Sequence, residues 1–129
     1  MARVVQIPVH GGALRRGRQT YVVGDGTTDK NILAAPTVTG QVLRVKAIIV
    51  CLNATTVAAA TWFNLKSGAS TALFEIPVMV AATTAVHVFE FGDNSPLTLD
   101  ASQALVGAMQ AALTAGELRA YAVGYQDVN

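Results

Sequence analysis

From residue 41 to residue 126, apolar and polar positions alternate in short runs separated by turn-forming residues. That is the period-two signature of strands with one covered face. In residues 41–53, Leu43, Val45, Ala47, Ile49 and Cys51 fall on one face, and Val42, Arg44, Lys46, Ile48 and Val50 on the other. The second face turns from charged to apolar halfway, which predicts a strand solvated at its start and covered at its end. Asn53-Ala54-Thr55-Thr56 reads as a turn. Residues 57–66 resume as a strand, with Ala59, Thr61, Phe63 and Leu65 opposite Trp62 and Asn64. After a turn at Ser67-Gly68-Ala69-Ser70, residues 71–80 carry Leu73, Phe74 and Ile76, and Pro77 marks an edge or a bulge.

Residues 85–91 set Val86, Val88 and Glu90 against His87, Phe89 and Phe91, and Gly92-Asp93-Asn94-Ser95-Pro96 is the strongest turn in the chain. Leu97-Thr98-Leu99 is a short strand, and residues 118–126 alternate Arg119, Tyr121, Val123 and Tyr125 with small residues. Residues 101–115 fit two patterns. Leu105, Met109, Ala112 and Leu113 stand at helical spacing with Asp100 or Ser102 as a cap, yet Leu105, Gly107, Met109, Ala111 and Leu113 share one face of a strand. Before residue 41 only short apolar pieces occur, at 4–7, 21–23 and 32–33, between turn-rich segments such as Gly24-Asp25-Gly26-Thr27-Thr28-Asp29. The pattern predicts one all-β domain: an antiparallel sandwich over 41–129, preceded over 1–40 by an extended N-terminal arm with one or two short strands.

At 129 residues, such a domain can bury a core without cross-links. Apolar residues make up 52% and charged residues only 13%, about half the usual charge, which suits a surface held against neighbours. The net charge of +1 argues against global attraction to nucleic acid or to an anionic membrane. No apolar run approaches the ~20 residues a helical span requires, and residues 1–6 lack the plan of a secretory signal. A soluble protein made in a cytoplasm is the expectation.

Candidate chemistry is sparse. The lone Cys51 permits no internal disulfide and reads as a small buried residue. The histidines are His10, beside two glycines, and His87, within a strand; a zinc site would need a further ligand. The eight carboxylates are dispersed, and Asp25 and Asp29 read as turn residues rather than as a calcium loop. No base stands with a partner, so the expectation is a non-enzymatic protein with no cofactor and no metal.

The one concentration of charge is Arg15-Arg16-Gly17-Arg18, three of the nine basic residues. It reads as a solvated loop, as an arm held on a partner's carboxylates, or as a phosphate contact. Trp62 reads as an interface anchor or as core. Arg15, Arg16, Arg18 and Trp62 are therefore the candidate partner contacts.

The runs Leu43-Arg44-Val45-Lys46-Ala47-Ile48-Ile49-Val50 and Phe74-Glu75-Ile76-Pro77-Val78, then residues 86–92 and Val123-Gly124-Tyr125-Gln126-Asp127, carry a resemblance. From residue 41 onward the chain resembles small β-sandwich virion proteins of tailed bacteriophages, which include capsid cement, or decoration, subunits and tail or fibre modules. The resemblance implies a jelly-roll-like sandwich, homo-oligomers (often trimers), attachment to a major capsid or other virion protein, and a strand over 104–113. The expected function is a structural virion subunit that bridges and stabilises a shell. A carbohydrate-binding tail or fibre module is the alternative, with Tyr21, Trp62 and Tyr125 as its available aromatics.

Overall fold

The computed structural model describes residues 14–92 and 94–128. Nine strands run in chain order as β1 (Leu14–Val22), β2 (Lys30–Leu33), β3 (Val42–Val57), β4 (Thr61–Ser67), β5 (Thr71–Val78), β6 (Thr83–Glu90), β7 (Leu97–Thr98), β8 (Leu105–Met109) and β9 (Leu113–Asp127). The other regular element among the described residues is a 3-10 turn, Val23–Asp25. The strands form two antiparallel sheets, ordered β1-β9-β3-β6, with β7 also on β3, and β2-β8-β4-β5. The expected antiparallel sandwich is therefore what the chain forms.

The order has a simple origin. β1 pairs with β9, β2 with β8, β3 with β6 and β4 with β5. These are nested antiparallel pairs, so the chain is one long two-stranded ribbon whose tip is the β4–β5 turn. Folding that ribbon over places alternate pairs in opposite sheets, and the pairings of β9 with β3 and β8 with β4 close each sheet. This is the jelly roll, with its two Greek keys.

Between the sheets lie Leu43, Val45, Ile48, Val50, Leu52, Phe63, Leu65, Ile76, Leu105, Met109, Leu113 and Leu118, all buried. Each such side chain stabilises the fold by roughly 1.5–3 kcal/mol before entropy is counted. Tyr21 meets Phe63 edge-on at 4.9 Å and donates its hydroxyl proton to the Lys30 carbonyl at 3.0 Å. Burial pushes that phenol well above its ordinary pKa.

The strand reading of residues 105–109 holds, but 110–112 turn and β9 starts at Leu113, five residues before the expected start. Pro77 lies on β5, the edge of its sheet, as its missing donor requires. Three other expectations are corrected.

The first concerns Asn53-Ala54-Thr55-Thr56. It is no turn but an irregularity inside β3, where Ala54 takes a positive φ of 50° and the registers with β6 and β9 shift. The second concerns the faces of β3. Val45 pairs with Gly124 and Ala47 with Val123, so Lys46 is an extra residue, a β-bulge. Leu43 and Val45 point inward before it; after it Ile48, Val50 and Leu52 do, while Ala47, Ile49 and Cys51 turn outward. The third follows: Cys51 is half-buried on the outer surface, not in the core.

Residues 14–33 supply one strand to each sheet. The close approach of β1 to β2 depends on Gly17, where a Cβ would lie 1.9 Å from the Ile32 carbonyl oxygen. At Gly107, on β8, a Cβ would come within 2.5 Å of the Tyr21 hydroxyl and 2.6 Å of the Phe63 ring. Gly107→Ala should cost about 1–3 kcal/mol through overpacking, measured by urea unfolding. Unchanged stability would mean that Tyr21 and Phe63 do not pack against β8 as described.

Candidate functional site

The sheet β1-β9-β3-β6 covers the core with one face and presents most of the other to solvent, although Val42 and Tyr125 at one end of that outer face are buried. Its register fixes what that outer face carries. One row across the strands reads Arg16, Val123, Ala47 and Glu90; the next reads Arg18, Tyr121, Ile49 and Val88; a third reads Thr20, Arg119, Cys51 and Val86. The middle of the face is apolar. Val86 is 63% and Val88 54% exposed, and Ile49 is exposed beside them. Arg16, Ala47, Ile49, Tyr121 and Val123 line a shallow apolar groove. A more polar groove next to it is lined by Cys51, Asn53, Glu117, Arg119 and Tyr121. There the Arg119 guanidinium pairs with Glu117 at 3.0 Å, so these two charges satisfy each other.

Adjacent strands lie about 4.8 Å apart, so the β1 margin and the β6 margin are separated by three such steps, roughly 14 Å. The β1 margin is cationic, through Arg16 and Arg18. The β6 margin is aliphatic and anionic, through Val86, Val88 and Glu90. Arg16, Arg18 and Glu90 are all exposed, and none makes an ion pair among the described residues.

The arginine cluster thus lies in a strand, and alternation divides it. Arg16 and Arg18 reach the outer face. Arg15 turns inward, where its Nη1 donates to Gln126 Oε1 at 2.6 Å. The same oxygen accepts from the Thr37 backbone N–H, and the Gln126 amide donates to Gln41 Oε1 at 3.0 Å. Arg15 therefore ties β1 to β9 and to the segment before β3.

Trp62 is on the other sheet, 41% exposed on its outer face opposite Pro77, so it is not core. The structure brings Arg16 and Arg18 together and leaves Trp62 in the opposite layer. Sequence reasoning missed Tyr121, Ile49, Val123 and Val88. One signal was present: Glu90 shares a face with Val86 and Val88, and a carboxylate marks the solvated side of a strand.

No three His, Cys, Asp or Glu side chains converge to hold a metal among the described residues. Asp25 Oδ2 instead accepts the Val22 N–H at 2.8 Å and Lys30 Nζ at 3.0 Å, which hold its carboxyl below the ordinary carboxylate pKa. Asp29 pairs with Lys66 at 2.6 Å. Asp25 closes its turn, as expected; Asp29 lies just before β2, and its ion pair reaches across to β4. His87 faces inward on β6, paired with Val50, and His10 lies outside the described residues.

Neither a family model nor a curated protein matches the sequence. Among solved structures, the chain is similar to a chain of the cyanophage Pam1 capsid asymmetric unit, with a TM-score of 0.50 and 16% sequence identity. The match covers 96% of this chain and 93% of that one, so the two are close in length. At this identity the likeness is one of fold.

The division of the arginines can be checked directly. Arg15→Ala should lower stability by about 1–2 kcal/mol, the scale of a charge-assisted hydrogen bond. Arg16→Ala and Arg18→Ala should stay within ~0.5 kcal/mol, as exposed sites do. Chemical unfolding of the three variants separates them; equal effects would contradict the alternation.

Proposed function

We propose that this chain is a non-enzymatic structural protein of a virion, a cement or decoration subunit that sits on a protein shell and stabilises it. The observation that carries the reading is the outer face of the β1-β9-β3-β6 sheet: rigid, largely apolar, margined by unpaired charge, and free of any reactive cluster among the described residues. Such a face in a small domain is a contact surface. The likeness, over 96% of this chain, to a chain of a phage capsid asymmetric unit supports placing the protein in a capsid. The partners are then a major capsid or other virion protein and further copies of the chain, in a closed oligomer such as a trimer. Arg16 and Arg18 are its charged contacts, with Trp62 as a second contact point on the opposite sheet. Stabilisation follows mass action: a subunit that binds the assembled shell and not its dispersed subunits lowers the free energy of the shell.

The carbohydrate-binding reading loses most of its aromatic platform. Tyr21 is 1% and Tyr125 3% exposed, which leaves Trp62 alone among its three candidates.

Quantitative mass spectrometry of density-purified particles made with and without the protein tests the proposal. The expected result is a copy number in fixed, near-stoichiometric ratio to the shell subunit, and particles that open at lower temperature when the protein is missing. Recovery only in the soluble fraction would overturn the virion reading. A handful of copies per particle would overturn the cement role and favour a tail or fibre module.

A further inference from the structure

The outer face described above carries both halves of a match. Its rows run from a guanidinium at one margin, across Val123, Tyr121, Ala47 and Ile49, to a carboxylate and two valines at the other. Within one copy the halves stand roughly 14 Å apart, three strand spacings, and they do not pair. We propose that copies of this chain meet through this face, with the Arg16–Arg18 margin on β1 of one copy packing against the Val86–Val88–Glu90 margin on β6 of the next.

Three observations favour a second copy as the occupant. Charge complementarity is contained in the face itself, because the cationic margin that suits Glu90 and the anionic margin that suits Arg16 belong to the same molecule. The Arg119–Glu117 pair on the same face is already satisfied locally, so the unpaired charges are those at the margins. The apolar strip between the margins is continuous, and Val86 and Val88 are among the most exposed large hydrophobic residues described. Covering them removes aliphatic area from water at ~25 cal/mol per Å², while the margins set the register of the contact.

The contact is head to tail. Repeated by rotation it closes into a ring. The inference stands on the face alone and does not rest on the virion reading.

The test uses the full chain and light scattering across a concentration series. The wild type should be a discrete oligomer. Arg16→Glu and Glu90→Arg should each raise the concentration of half-dissociation at least about tenfold, the scale of a close interfacial charge pair. The double variant R16E/E90R should return it to within about threefold of wild type. Val88→Thr, which keeps the strand preference of an exposed site, should also weaken association. Circular dichroism should show all four variants folded, since the three positions are exposed. A monomeric wild type, single variants that associate normally, or a double variant that stays dissociated would each overturn the proposal. Shell attachment by a monomeric wild type would leave the cement reading standing without it.

Discussion

One extra residue in one strand decides what this protein shows to its surroundings. Because side chains alternate along a strand, inserting Lys46 into the ladder between β3 and β9 exchanges the two faces from that point on. The bulge coincides with the place where β3 changes partner. β6 ends at Glu90 opposite Ala47, the Phe91 N–H bonds the Lys46 carbonyl at 2.7 Å, and β7 rejoins β3 at Leu97 opposite Val45. The loop between β6 and β7 thus leaves and returns where the ladder is already irregular. Without the extra residue Ile49 and Cys51 would face the core and Ile48 and Val50 the solvent.

The consequence is a division of labour between two faces of one sheet. Inward, Ile48, Val50, Leu52, Leu118 and Ala120 close the sandwich over the second sheet. Outward, Ala47, Ile49, Tyr121 and Val123 make an apolar strip that nothing among the described residues covers, with charge at its margins. The nested ribbon holds that strip rigid, since β9 and β3, the two central strands, are also the longest. A surface of this kind suits assembly, because little ordering is left to be done when a partner arrives.

Much of this was legible in the sequence, and the gaps have physical causes. Thr61, Phe63 and Leu65 against Trp62, and Val86, Val88 and Glu90 against His87 and Phe89, were readable because each strand has one dry and one wet side. β3 was not, because its residues after Lys46 are apolar on both sides and a bulge leaves no composition of its own. Asn53-Ala54-Thr55-Thr56 has the residues of a turn, and only pairing on both flanks shows that the strand continues through it. β1 looked like a solvated loop because the triad of arginines hides its alternation: Arg16 and Arg18 are wet, while Arg15 is spent on Gln126 and Gly17 on the approach to Ile32. Residues 101–115 fit helix and strand alike, and the pairing of β8 with β2 and β4 decided for strand.

Cys51 reports on the central claim, since only the bulge at Lys46 places its thiol outside the core. The direct measurement is the rate at which a small maleimide labels Cys51 in dilute native protein, as a function of urea below the unfolding transition. An outward thiol predicts complete labelling well below the unfolding transition with no exponential rise in urea, and faster labelling on dilution as copies separate. Labelling that requires global unfolding, with a rate rising exponentially in urea, would return Cys51 to the core and contradict the account.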